Sequence, residues 1–118
     1  PLACAVAHAV VEYVLENDVL ANVRRAGERL MSGLLSIQER VPFIKEIRGG
    51  GLLQALEFSQ DISGEVLTEC LERGLLVNAV RPNALRFMPP LVITDFEVDE
   101  ALEKLNGALE KVAADKEL

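Results

Sequence analysis

With one histidine and two cysteines in 118 residues, the chain holds almost nothing from which to build a metal centre or a nucleophilic triad. His8 sits between Ala7 and Ala9 in an apolar stretch, which suits a packed or interface histidine better than a ligand. Cys4 and Cys70 are far apart and lack metal-ligand spacing, so no zinc site can be assembled and no triad is available. Two such thiols read as reduced core cysteines of a cytosolic protein. Basic residues are also scarce: 12 Lys plus Arg against 19 Asp plus Glu give a net charge of −7. That balance, with no basic cluster to overrule it, argues against nucleic acid or an anionic membrane as a partner. No apolar run reaches the roughly 20 residues of a membrane span. The amino end has no positive region ahead of its apolar stretch and does not read as a signal peptide. The closing Asp115-Lys116-Glu117-Leu118 carries the letters of a retention signal in scrambled order and reads as a solvated tail. There are no internal repeats, linkers or low-complexity segments.

What remains is an ordinary globular composition, half apolar and about a quarter charged, long enough for one domain with a real core. Pro1 to about Glu16 reads as a helix with proline in its opening turn. Leu2, Val6, Val10 and Val14 share its faces with Ala3, Ala5, Ala7 and Val11, leaving little polar side. A helix apolar nearly all round needs cover from several directions, which points to another domain or subunit. Pro1, standing where a methionine would, reads as the edge of a fragment. Asn17 or Asp18 is placed to cap a second helix running to about Arg40. Its Leu20, Val23, Gly27, Leu30, Leu34 and Ile37 recur at three and four residues. Arg24, Arg25 and Arg29 on that helix invite an anion-patch reading, but a solvated face with local glutamate partners is the better expectation.

After Val41-Pro42, Phe43 to Ile47 leads into Arg48-Gly49-Gly50-Gly51. A phosphate loop needs Lys-Ser/Thr after its last glycine, and Leu52-Leu53 stands there instead. The glycines are expected to permit a bulge or close backbone approach at the entry to a strand, Leu52 to Phe58. Ser63 is expected to cap a third helix that carries Val66, Leu67, Cys70 and Leu71 and closes at Gly74. Leu75 to Val80 reads as a second strand. Arg81-Pro82-Asn83-Ala84 then makes a tight turn into a third strand that pairs back as a hairpin. Val98, Leu102, Leu105, Leu109 and Val112 line a final helix ending near Ala114. The expected order is α-α-β-α-β-β-α, an α+β fold with a small three-stranded mixed sheet and helices on one side. Its first two strands should run parallel if they share a sheet, and the hairpin antiparallel.

One stretch organises the rest: Leu85-Arg86-Phe87-Met88-Pro89-Pro90-Leu91. Strand alternation sends Leu85 and Phe87 to one face and Arg86 to the other, and the prolines then halt the strand. Thr94 and Glu97 form a capping box at the start of the last helix, with Ile93 placed to staple onto Val98. Arg86 is therefore expected on a rigid platform, where a planar guanidinium suits a carboxylate or phosphate through two parallel hydrogen bonds. The plainer alternative is a strand arginine paired with a neighbouring acid.

Pro1-Leu2-Ala3-Cys4-Ala5, Ile47 to Leu52, Arg73 to Asn78 and Leu85 to Leu91 occur in one familiar order. Together they resemble the carboxy-terminal domain of class III pyridoxal-phosphate aminotransferases, in particular the acetylornithine aminotransferase subfamily. The resemblance implies a cytosolic homodimer that moves an amino group between acetylornithine and 2-oxoglutarate in arginine metabolism. It implies that Arg86 matches the arginine gripping the substrate α-carboxylate, and that the first helix packs on a large domain and its neighbour. It also implies a Schiff-base lysine, a pyridinium-pairing acid and a phosphate-binding threonine, all upstream of Pro1. None of Lys45, Lys104, Lys111 and Lys116 matches that lysine, so the chain alone is expected to be inactive. Ornithine or succinylornithine as donor, a non-catalytic interaction module docking through the first helix, and an independent amino-acid-binding regulatory domain are the alternatives.

Overall fold

The computed structural model describes residues 1–118, and its chain opens with helices α1 (Leu2–Glu16) and α2 (Val19–Gln38). The bend between them is made at Asp18, which takes a left-handed conformation (φ 51°) tolerated by a short polar side chain. Its carboxylate makes no capping bond, so Asp18 shapes the corner and does not cap the helix as expected. No residue of α1 is buried, and Leu2 and Leu15 are 80% and 72% exposed. By contrast, α2 buries Gly27, Leu30, Leu34 and Ile37 of the expected stripe, with Val19 and Ala26 beside them, whereas Val23 is half-buried and Leu20 is exposed.

The sheet differs from expectation. It has four strands, β1 (Ile44–Gly50), β2 (Leu53–Phe58), β3 (Asn78–Arg81) and β4 (Ala84–Phe87), in the order β1-β2-β4-β3. Every neighbouring pair is antiparallel, so the mixed three-stranded sheet is corrected to an antiparallel four-stranded one. The additional strand is β1, the segment read as a lead-in. Lys45, Glu46 and Arg48 and the closing glycines hide it, and an irregular register between Ile44 and Glu46 breaks its alternation. Strands β2 and β3 never pair, because β4 lies between them. The physical reason is burial. Leu85 and Phe87 of β4 are 0% and 7% exposed and take the central place, whereas all of β3 is exposed and takes the edge. Strand β3 begins only at Asn78, with Leu75 and Val77 packed against the core as a link.

Helix α3 (Ser63–Glu72) ends before Gly74, whose positive φ of 72° turns the chain out of the helix. Ser63 is not its cap. Its hydroxyl donates instead to the carbonyl of Arg81 at 2.6 Å, tying the first turn of α3 to the β3–β4 hairpin. Helix α4 (Asp95–Lys116) starts with the predicted capping box: Thr94 Oγ1 accepts from the Glu97 N–H, and the Glu97 carboxylate accepts from the Thr94 N–H at 2.8 Å. Leu56 and Phe58 of β2 and Leu85 and Phe87 of β4 form one buried cluster with Leu30 and Leu34, Val66 and Cys70, and Leu105 and Leu109 of the helices. Helices thus cover one face of the sheet. The opposite face, carrying Arg48, Ala55 and Arg86, is left open.

A candidate carboxylate site on the open face of the sheet

Arg86 sits in the middle of β4 between two buried neighbours, so its side chain leaves the sheet on the uncovered face. Paired positions across four strands form a single row: Arg48 opposite Ala55, Ala55 opposite Arg86, and Arg86 opposite Asn78. Arg48, Gly49, Gly50, Ala55 and Arg86 line one hollow of about 380 Å³ on that face.

The two arginines of the row are in different states. Arg48 Nη1 donates to Glu57 at 2.9 Å and to Glu46 at 3.2 Å, so its charge is balanced within the chain. Glu57, half-buried on β2, also receives Lys45 Nζ at 3.0 Å. Hydrogen bonds from Lys45 and then Arg48 hold its carboxyl below the ordinary value of 4.5. Arg86 has no such partner. Its Nε is buried without a hydrogen bond, so a planar donor fork stands on a strand with its charge unanswered by this chain. The plainer reading of Arg86 as half of a structural ion pair is not what the geometry shows.

Of the three arginines on α2, two are paired with acids and only Arg24 has no acid partner. Arg29 grips Asp99 through Nε and Nη2, both at 2.6 Å, and Arg25 pairs with Asp95. Their partners lie on α4 and not on their own helix, so these pairs clamp two helices together. His8 is exposed beside Glu12 at 3.1 Å, and Cys4 is exposed as well, because nothing covers α1. Only Cys70 is the expected core thiol, and burial pushes it up to about 11. Nowhere do three His, Cys, Asp or Glu side chains converge as metal ligands, and no helix is long and apolar enough to cross a membrane.

Each lysine has an acid on the surface: Lys45 with Glu57, Lys104 with Glu100, Lys111 with Asp115 and Lys116 with Glu65. None lines the Arg86 hollow. The hollow thus offers pyridoxal phosphate no lysine amine, while Arg86 presents a guanidinium with an unused donor. Arg86 stands out in the sequence by its strand alternation, whereas Arg48, Ala55 and Gln54 give no local sign of lining the same hollow. Their placement depends on β2 pairing with both β1 and β4, a register that no local pattern of residues encodes.

Residues 1–109 match the family model for class III aminotransferases. The chain belongs to that family. Among curated relatives, acetylornithine aminotransferase of Caldanaerobacter subterraneus subsp. tengcongensis is 40% identical over 112 residues, covering 95% of this chain and 28% of that protein. The enzyme of the same name from Bifidobacterium longum is 42% identical over 102 residues, covering 86% of this chain and 23% of its own. Among solved structures, N-acetylornithine aminotransferase of Stenotrophomonas maltophilia superposes with a TM-score of 0.89 at 35% identity, over 97% of this chain and 32% of that one. An ornithine aminotransferase from Toxoplasma gondii, with partial occupancy of PLP at its active site, gives 0.91 at 34% identity, over 100% of this chain and 29% of its own. This class III aminotransferase chain thus spans well under a third of the length of the curated relatives it matches.

Proposed function

We propose that this chain is the carboxy-terminal small domain of a pyridoxal-phosphate-dependent aminotransferase acting on acetylornithine and 2-oxoglutarate in arginine metabolism. In this reading Arg86 binds the substrate α-carboxylate. The observation that carries the assignment is the unpartnered guanidinium on the open face, with its buried Nε. A carboxylate accepting two parallel N–H bonds from that fork would be fixed in both distance and plane. The β4 backbone, anchored by Leu85 and Phe87 in the core, would keep the rest of the substrate in register for proton removal. The cofactor supplies the electron sink when bound. Its lysine would come from the rest of the enzyme, since the four lysines here are committed elsewhere.

Exposed α1, apolar on most sides, supports docking against a large domain and a second subunit of a homodimer. The two unpaired cysteines are consistent with a cytoplasmic setting. The likeness to an ornithine aminotransferase at 34% identity keeps ornithine as the alternative donor. The test is Arg86→Ala and Arg86→Lys in the longer enzyme. Arg86→Ala should lower kcat/KM by about a hundredfold or more, as expected for losing two charge-assisted bonds, with its unfolding midpoint unchanged. Arg86→Lys, a point charge without the fork, should recover only part of that. Near-normal kinetics in Arg86→Ala would sink the assignment.

A further inference from the structure

We propose that Ala55 is a specificity-determining residue of the Arg86 seat: its methyl group is the floor, and the size of residue 55 sets how closely a carboxylate can approach the guanidinium. This rests on the reading of Arg86 as the carboxylate's partner. Ala55 is the direct cross-strand partner of both Arg48 and Arg86 and lines the same hollow. Directly opposed residues on one face of a sheet hold their Cβ atoms about 4.5–5.5 Å apart, so residue 55 is the nearest neighbour Arg86 has on β2. The positions of β2 on either side of it on this face are larger, Leu53 and Glu57. Only at Ala55 does the side chain stop at one carbon, and that gap is where the hollow lies. Arg48 closes the far side of the hollow but is restrained by Glu57 and Glu46. The seat therefore offers one free guanidinium over a small floor, which suits a single carboxylate group. A branched side chain at position 55 would occupy the space the anion needs without touching the helix-covered core.

The experiment compares Ala55→Val, Ala55→Gly and Arg86→Ala in the longer enzyme, and repeats the comparison on the 118-residue chain by titrating acetate and following the Arg86 Nε–H signal by NMR. Valine is a good strand residue, so the fold is retained. Ala55→Ile, apolar and larger still, gives a second variant with the same direction of effect. For Ala55→Val the KM of the carboxylate donor should rise by about tenfold or more while kcat changes by less than about threefold, the split that marks lost binding. Acetate should shift the Arg86 signal in the wild-type chain and do so more weakly in Ala55→Val. Ala55→Gly, which lowers the floor, should move KM downward, opposite in direction to Ala55→Val. If Arg86→Ala loses carboxylate binding while Ala55→Val keeps both KM and the acetate response, the role of Ala55 is overturned and that of Arg86 stands. If Arg86→Ala itself changes neither, both are overturned.

Discussion

Gln54 is stitched to Gly27: its Nε2 donates at 2.8 Å to the Gly27 carbonyl of α2, and at 2.7 Å to the carbonyl of Gly51. The bond crosses from sheet to helix beside the close approach of Gly27 to Gly51. A side chain only 2% exposed thereby holds the glycine turn, one wall of the Arg86 hollow, against α2. Both amide hydrogens are used, which fixes the orientation of the group. Gln54→Leu fills similar volume but removes both side-chain bonds, and only the Gly27 carbonyl keeps a donor from the ladder of α2. It should lower the unfolding free energy by about 1–3 kcal/mol. Urea denaturation of the two proteins would measure it, and an unchanged midpoint would contradict the role.

The glycines of this chain should respond to alanine with opposite signs. In helix interiors alanine is favoured over glycine by about 1 kcal/mol. At Gly27, however, an added Cβ would lie 2.5 Å from the Gly51 carbonyl oxygen, a backbone atom that cannot rotate away. Overpacking of that kind costs about 1–3 kcal/mol, so Gly27→Ala should be destabilised on balance. A Cβ on Gly64, in the first turn of α3, meets nothing within 4 Å. Gly64→Ala should therefore gain up to about 1 kcal/mol. Thermal midpoints moving in the same direction for both variants would refute the account.

Four carboxyls are held below their ordinary values of 4.5 (Glu) and 3.8 (Asp): Glu57 by Lys45 and Arg48, Glu65 by Lys116, Glu97 by the Thr94 backbone and hydroxyl, and Asp99 by Arg29. A folded-state value below the unfolded one contributes stability that is present above the unfolded pKa and lost as pH falls through the folded value. The urea midpoint should be nearly level from about pH 7 to pH 5 and decline below about pH 4.5. Glu57→Gln, which removes the carboxylate shared by two cations, should have a shallower acid limb. An equally steep limb in that variant would remove Glu57 from the explanation.

The two cysteines should differ sharply in reactivity. Cys4 lies exposed on α1, whereas Cys70 is fully buried with its thiol pushed up to about 11. A disulfide reagent such as DTNB at about pH 8 should label Cys4 in the folded chain and reach Cys70 only on unfolding, because only the thiolate attacks. Rapid labelling of both thiols under native conditions would show that α3 opens readily.

Much of this protein was decided by local sequence. The stripe from Leu30 to Ile37, the Thr94–Glu97 capping box, the Arg81–Ala84 turn and the alternation around Arg86 each depend on residues within a few positions of one another. Such features are set by backbone geometry and nearest-neighbour hydrogen bonds, and they emerge in the structure much as the residues dictate. Ser63 and Asp18 show where that logic stops. Both are good capping residues, yet the Ser63 hydroxyl goes to the Arg81 carbonyl and Asp18 becomes a left-handed corner. Competing partners distant in sequence, or the path of the chain, outweighed a local preference worth about 1 kcal/mol.

The strand order belongs to the tertiary structure alone. Strand β1 carries too many charges and glycines to announce itself, and it exists because β2 offers it a ladder of backbone partners. Strand β4 separates β2 from β3 because Leu85 and Phe87 gain most from the centre of the sheet. That order places Arg48 and Arg86 on either side of Ala55, and assigns Glu57 to one guanidinium while leaving the other free. The sequence by itself determined that an arginine would stand on a rigid strand. What lies beside it on β2 was decided by pairing between segments about 30 residues apart, where registration depends on total burial and not on any local pattern.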